Sequence, residues 1–399
     1  MKCNFLYLAI AVFIMLACSE KKQVEITPWG SPLGVDSTAT DRFSLSDIQN
    51  NGEMIMLTMS GPDTYFDYHG KGMGTQYLLC EKFARSIGVS LRVEVCKDTA
   101  EMLRRLSKGE ADIIVCQIPK TTRGLRFCGY GVDSLQTSWA VSSGSNELAD
   151  SIDHWFKPSL VAQVKIEENN LFSGGGIKRH VYAPMINASR GEISRFDHLF
   201  KRYAPMARWD WRLMAAQCYQ ESTFDPDARS WAGACGLMQI MPYTASEVGL
   251  PHTHLFDPEQ NIAAATRYIS KLTMRFRDVR DRNERFWFVL ASYNGGSFHV
   301  RDAMALASKY GKNPHCWADV SEFILKLSDA RFYRDPVVKY GYMRGQETYG
   351  YVENIRARWN RYRGKASGNV GVRSFYNESF GLDDNTVPHR AKKRHRFRL

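Results

Sequence analysis

From residue 53 onward the chain alternates short apolar runs with amphipathic stretches of helical length. The compact apolar run 53–59 predicts a strand and 75–87 a helix. Residues 90–96 alternate, with Leu91, Val93 and Val95 on one face, and predict a second strand. A helix over 99–108 and a buried strand over 112–116 follow, so the order is β-α-β-α-β, which favours a small open α/β sheet with parallel strands. A strand over 137–142 and a helix over 146–156 close that unit. The triplet Gly174-Gly175-Gly176 then breaks the pattern and marks a boundary. Beyond it the periodicity is helical throughout: Trp211, Met214 and Cys218 recur at helical spacing, as do Ile262, Ala265, Ile269, Leu272 and Phe276, and Val352, Ile355 and Trp359. No internal repeat is evident. The expected architecture is an α+β two-domain chain, with a small α/β domain over 51–165, a linker over 166–195 and an all-α domain over 196–363.

The two ends read differently. Met1 and Lys2 precede an apolar run over 5–16, then Ala17-Cys18 and the polar Ser19-Glu20-Lys21-Lys22, which reads as an export signal over 1–17. A cysteine directly after the cleavage point resembles the bacterial lipobox. That resemblance implies that Cys18 becomes a lipidated N-terminus and tethers the chain to a membrane by acyl chains; the competing reading is an ordinary cleaved signal with an incidental cysteine. Residues 18–50, polar and punctuated by Pro28, Gly30, Pro32 and Gly34, are expected to form a tether. The last stretch, 364–399, ends in a basic run from His389 to Leu399 and is expected to be a disordered tail.

Composition narrows the classes. The chain has 399 residues, 44% of them hydrophobic and 24% charged, which excludes a disordered chain and a single small module. No apolar run reaches the ~18 residues of a spanning helix, which excludes a polytopic membrane protein. The net charge of +11 suggests a polyanionic partner. Its location weakens that suggestion: Lys2 leaves with the signal, and Arg390, Lys392, Lys393, Arg394, Arg396 and Arg398 crowd the tail. The folded remainder is left with a small surplus that points away from nucleic acid and leaves the tail to touch anionic lipid or wall polymer. Of the nine cysteines, Cys80, Cys96, Cys116, Cys128, Cys218, Cys235 and Cys316 remain after the signal and the lipidation site. None has metal-ligand spacing, so no metal or cofactor is expected. Small buried residues with one or two disulfides are the expectation, Cys218 with Cys235 among the candidate pairs.

One carboxylate stands out by position. Trp211, Met214, Cys218 and Glu221 follow at steps of three, four and three, so Glu221 lies on a stripe that otherwise buries apolar side chains. Desolvation there raises a carboxyl pKa, which suits a general acid that must hold its proton near neutrality. On position alone, a paired structural glutamate fits as well.

The surrounding residues add to this. Glu221-Ser222, Phe224-Asp225-Pro226, Ser230, Gly233-Ala234, Gly236-Leu237-Met238-Gln239, Met241-Pro242 and Thr244-Ala245 resemble the active-site segment of the family 1 lytic transglycosylases, lysozyme-like enzymes of bacterial peptidoglycan. The resemblance continues through Asp257-Pro258, Asn261-Ile262, Ser292-Tyr293-Asn294-Gly295-Gly296, Asp302-Ala303 and Arg344-Gly345-Gln346-Glu347 to Tyr351-Val352-Glu353-Asn354-Ile355. It implies a lysozyme-like domain in which Glu221 is the sole catalytic acid and base. Glu221 would protonate the glycosidic oxygen between N-acetylmuramic acid and N-acetylglucosamine, then take the proton of the muramic C6 hydroxyl as a 1,6-anhydro ring closes, with no water consumed. It also implies that Ser230 bonds Glu221 or the acetamido group, that Met238 and Gln239 line the sugar cleft, and that Tyr293, Asn294 and Tyr351 point into the site. Asp225 and Asp227 read as turn residues. Ser292 stands where the family usually has alanine. A hydrolytic muramidase of the same fold and a non-catalytic wall-binding lipoprotein are the alternatives.

The stretch from Leu57 through Trp139 resembles the solute-binding domains of the amino-acid-receptor type, on Thr64-Tyr65, Leu106 through Ala111-Asp112, Arg123 before Phe127, and Trp139-Ala140-Val141. Lys120 stands where those domains usually have threonine. Only a few residues separate Gly129 from Thr137, where a complete receptor inserts its second lobe. One lobe is therefore expected, serving as a docking or positioning module for wall or a protein partner rather than a ligand sensor.

Overall fold

The computed structural model describes residues 44–172 and 177–364. The signal, Cys18, most of the tether, the glycine triplet and all of the basic tail beyond Gly364 lie outside the described residues.

The first element, α1 (Leu45–Asn51), falls inside the stretch expected to be tether. Ser44 caps it, accepting from Asp47 N while the Asp47 carboxylate bonds back to Ser44 N, a reciprocal cap that a serine three residues before an aspartate encodes. Gly52 in the left-handed region ends the helix and turns the chain into β1 (Glu53–Thr58). A short hairpin follows, β2 (Phe66–Tyr68) and β3 (Lys71–Met73), then α2 (Thr75–Ser86), β4 (Ser90–Val95), α3 (Thr99–Ser107), β5 (Ile113–Pro119), β6 (Leu125–Val132), β7 (Thr137–Ser142), α4 (Asn146–Trp155) and α5 (Pro158–Phe172).

The five-stranded sheet has the order β4-β1-β5-β7-β6. β1 runs parallel to β4 and β5, as the alternation predicts, whereas β7 pairs antiparallel with both β5 and β6. The sequence reading passes over β6: its Gly129 and Gly131 interrupt the apolar pattern, and the register shift between Cys128 and Gly131 is where they fall. Period-two alternation then sorts the strands between two cores. Met54, Met56, Ile113 and Val115 pack with Leu79, Phe83, Trp139 and Ile152, while Leu57, Ile114, Cys116 and Ile118 pack with Met102 and Leu106 of α3. Leu91 and Val93 join the first core, but Val95, at the end of the edge strand β4, is 49% exposed.

The expected linker is partly helix. α5 continues to Phe172, its Val164 fully buried in the first core and its Glu168 accepting from Gly74 N and Thr75 Oγ1 at 3.2 Å each. The pattern obscures this helix because only one residue of it is buried.

The rest is helical: α6 (Asp197–Tyr203), α7 (Trp211–Ser222), α8 (Pro242–Glu247), α9 (Pro258–Arg275), α10 (Arg282–Gly295), α11 (Ser297–Lys309), α12 (Trp317–Lys326), α13 (Ala330–Tyr333) and α14 (Gly345–Tyr362). A two-stranded exception, β8 (Ile177–Lys178) with β9 (Arg229–Ser230), sits at the loop after α7. α7 is the central helix: Leu213 through Cys218 are all buried, so the apolar stripe expected on one face is a sheath around most of the helix. α14 packs on α12 through Gly345, where a Cβ would stand 1.8 Å from the Ile324 carbonyl oxygen; only glycine permits that approach.

All seven described cysteines are free, and six are buried. The expected disulfides are not formed among them. Cys218 instead directs its thiol at the Leu237 carbonyl at 3.3 Å, and Cys235 at the Gly233 carbonyl at 3.3 Å. Both behave as small core residues.

Candidate active site

Glu221 lies in the last turn of α7. The helix begins at Asp210, whose carboxylate accepts from Arg212 N at 3.0 Å and from Trp359 Nε1 at 3.0 Å, and ends where Thr223 and Phe224 both take left-handed backbone angles, φ 54° and 63°. Two consecutive non-glycine residues in that region store strain, which the buried Phe224 ring offsets by packing on Phe200 and Tyr219. The turn carries the chain away just past Glu221 and leaves the carboxyl at an edge of the core.

The half-buried Glu221 carboxylate accepts a 2.6 Å hydrogen bond from the Tyr351 hydroxyl, and that hydroxyl in turn accepts from Gln217 Nε2 at 3.1 Å. Desolvation pushes the Glu221 carboxyl up to about 7; the Tyr351 bond and the charges of His69 and Arg179 work against that rise without cancelling it. Tyr351, nearly buried in the second turn of α14, is raised well above the ordinary phenol range, first by desolvation and then by the Glu221 charge. It therefore stays a donor. Tyr293, at the end of α10, is raised for the same two reasons and donates to the Met238 carbonyl at 2.8 Å. A carboxyl that is protonated near neutrality beside two permanent phenol donors can give a proton and take one back in the same pH range.

The other expected site residues divide between facing the carboxyl and building the loop beside it. Ser230 Oγ accepts from Ala234 N at 2.9 Å, so it closes the turn 230–234 rather than bonding Glu221. Met238 is fully buried, not a cleft wall: its N–H donates to Asn261 Oδ1 at 2.8 Å and its carbonyl takes the Tyr293 bond, so the backbone of this residue organises the site and its thioether fills the core. Gln239, in the left-handed region at φ 47°, spends its amide nitrogen on the carbonyls of Ala228 and Gly236 at 3.0 and 2.9 Å. Its buried Oε1 has no partner among the described residues. Asn294 Oδ1 accepts from Thr348 Oγ1 at 2.7 Å and so ties α10 to α14.

Two nearby carboxylates are already engaged. Asp225 accepts from His180 N at 2.6 Å with one oxygen and from Asp227 N at 3.1 Å with the other. Glu347, in the first turn of α14, accepts from Tyr68 at 2.7 Å and lies 3.8 Å from His69 with one oxygen, and 3.3 Å from Arg344 with the other. Burial pushes the Glu347 carboxyl up, but His69, Tyr68 and Arg344 outweigh it and hold it below its ordinary value.

Several functional positions escape the motif reading. Gln217 is four residues before Glu221 and on the same helical face, a spacing that would have revealed it. Asn261 sits inside a quoted motif, and its role as a clamp on Cys235, Met238 and Leu255 emerges only from the fold. Tyr68 and His69, at the β2–β3 turn of the α/β lobe, and Arg179 carry no local signal.

Residues 198–316 match the family model described as the transglycosylase SLT domain, a span that contains Glu221, the loop after it and Tyr293-Asn294 but not Tyr351. The chain is 32% identical over 287 residues, 67% of its length, to membrane-bound lytic murein transglycosylase F of Desulfosudis oleivorans, of which it spans 60%. Among solved structures, an inactive mutant of lytic transglycosylase Slt from Pseudomonas aeruginosa is 25% identical, covering 43% of this chain and 24% of that one with a TM-score of 0.32. The arginine-bound form of domain 1 from TmArgBP is 18% identical, covering 29% of this chain and 97% of that one with a TM-score of 0.25. The likeness to lytic transglycosylases read from the motifs thus recurs in the family model and in the aligned relative.

Proposed function

We propose that this protein is a peptidoglycan lytic transglycosylase. It cleaves the β-1,4 bond between N-acetylmuramic acid and N-acetylglucosamine and leaves 1,6-anhydromuramic ends. The observation that carries the reading is the Glu221 carboxyl, raised to about 7 and bonded by Tyr351, while the neighbouring carboxylates Asp225 and Glu347 have both oxygens committed elsewhere. Most glycosidases that use water or a covalent intermediate employ a second carboxylate. A one-carboxyl site is suited to an internal nucleophile, the muramic C6 hydroxyl, whose proton Glu221 accepts after giving its own to the leaving oxygen. Tyr351 holds the carboxyl in place through both steps, and Ser230, Met238, Gln239, Tyr293 and Asn294 shape the sugar-binding loop.

The chain acts at the bacterial cell envelope, anchored through a lipidated Cys18 to the outer membrane and facing the periplasm. The export-signal pattern, the cysteine that follows it and the name of the aligned relative support this placement. Among the described residues, no helix is long and apolar enough to cross a membrane. The α/β lobe serves as the module that positions the catalytic region against wall or a protein of the wall machinery.

Digestion of purified sacculi, with mass analysis of the released muropeptides, tests the reading. Wild type is expected to release anhydro-ended fragments, and Glu221→Gln, folded by circular dichroism, to release at least about a thousandfold fewer. Reducing-end products would mark a hydrolytic muramidase, and no release by wild type a wall-binding protein.

A further inference from the structure

A helix that ends inside a protein leaves its last carbonyls in need of donors. At the end of α7 the capping is shared. The Tyr219 carbonyl takes Thr223 N at 2.9 Å, and the Ser222 carbonyl takes Asp225 N at 3.2 Å. The carbonyl of Glu221 itself takes Arg179 Nη1 at 2.9 Å, and the same nitrogen reaches the Gln220 carbonyl at 3.5 Å. A guanidinium placed there also complements the negative end of the helix dipole.

Arg179 is held on both sides. Before it, Ile177 and Lys178 pair with Ser230 and Arg229 as an antiparallel strand. After it, His180 N donates to Asp225 and the His180 carbonyl accepts from Thr223 Oγ1 at 2.9 Å. The strap 177–180 is therefore laced to the loop that follows the catalytic carboxyl, although it lies before the matched family domain and next to the α/β lobe in sequence.

The groups facing Glu221 come from five directions: Tyr351 from α14, Tyr293 from α10, Cys218 from its own helix, His69 from the β2–β3 turn and Arg179 from the strap. Of these, Arg179 and His69 favour the charged carboxylate.

We infer that Arg179 is a positioning residue for the Glu221 carboxyl, acting through the last turn of α7, whose carbonyls it caps. The inference rests on the reading of Glu221 as the acid and base, and it makes the strap part of the catalytic unit.

The test uses the full chain as wild type, Arg179→Gln and Arg179→Lys. Carboxyl titration by infrared difference spectroscopy, without substrate and with Glu221→Gln as the subtraction reference, reads Glu221 directly. The pH profile of sacculus digestion reads its consequence. Arg179→Gln is expected to move the Glu221 midpoint upward by about one pH unit, to carry the alkaline limb of activity with it, and to lower kcat about tenfold with KM little changed. Arg179→Lys keeps the charge but not the planar fork, so its midpoint should stay near wild type while kcat falls. A folded Arg179→Gln that titrates as wild type overturns the inference. If Arg179→Gln does not fold, Arg179→Lys with wild-type kcat overturns it. A shifted midpoint in a chain whose wild type releases no muropeptides upholds the positioning role and defeats the catalytic reading instead.

Discussion

Glu221 is set by its immediate neighbours. Its carboxyl titrates near 7 in the folded chain against 4.5 for an unperturbed glutamate, because loss of water outweighs the Tyr351 bond and the charges of Arg179 and His69. A folded value above the unfolded one means the folded state binds the proton more tightly. Relative to its protonated form below about 4.5, Glu221 thus loses stability for the fold progressively as pH rises from 4.5 through 7, by up to about 3 kcal/mol above that. Glu221→Gln should therefore melt at a higher temperature than wild type at pH 8 and at nearly the same temperature at about pH 4, as scanning calorimetry can measure. Equal differences at both pH values would contradict the desolvation account. At this scale the acid was legible, since an i, i+3, i+4 apolar stripe interrupted by one glutamate is visible in the sequence. Its Arg179 and His69 neighbours were not, because they lie 42 and 152 residues away.

Between α7 and α8 the chain has little regular structure of its own and takes its shape from bonds to its surroundings. Asn261, fully buried on α9, accepts from Met238 N and donates to the carbonyls of Cys235 and Leu255, and Gln239 bonds two carbonyls within the loop. Gly236 allows the clamp to close: at φ 77° a Cβ would stand 2.5 Å from the Leu255 carbonyl oxygen and 2.6 Å from Asn261 Nδ2. Gly236→Ala is expected to cost about 2–4 kcal/mol, from the left-handed backbone and the displaced asparagine together. A lowered urea midpoint with an unchanged slope would register this, and a midpoint within error of wild type would refute it. The motif residues were visible here, yet their division of labour was not. Met238 and Ser230 read as sugar contacts, whereas the fold uses a buried methionine backbone and a turn-closing serine hydroxyl. Which atom of a residue is used depends on the partners that folding brings to it.

Across the whole molecule, the α/β lobe presents the carboxyl ends of its parallel strands to the helical region. In open α/β sheets that edge is the usual place for ligands. Here Ser60 Oγ, just past β1, accepts from Tyr342 N at 2.8 Å, Phe66 packs edge-on against Tyr342, and Tyr68 stacks on Trp231 while donating to Glu347. Gly341, at φ 75°, permits the seam, since a Cβ there would stand 2.3 Å from Ser60 Oγ. Gly341→Ala is expected to loosen it, so that limited proteolysis cuts between the lobes and thermal unfolding separates into two transitions. A single wild-type transition in the variant would show the seam to be unimportant. The sequence by itself determined the two-part α+β architecture, the helix that carries Glu221, the candidate acid and the short connection between Gly129 and Thr137, because these are written in periodicity, glycine placement and local motif order. Only the tertiary structure decided that the lobe's strand edge meets the helical region, that Tyr351 bonds the Glu221 carboxyl while Arg179 bonds its backbone carbonyl, and that the cysteines among the described residues stay free. Those outcomes depend on distances between residues far apart in the chain, which local pattern does not encode.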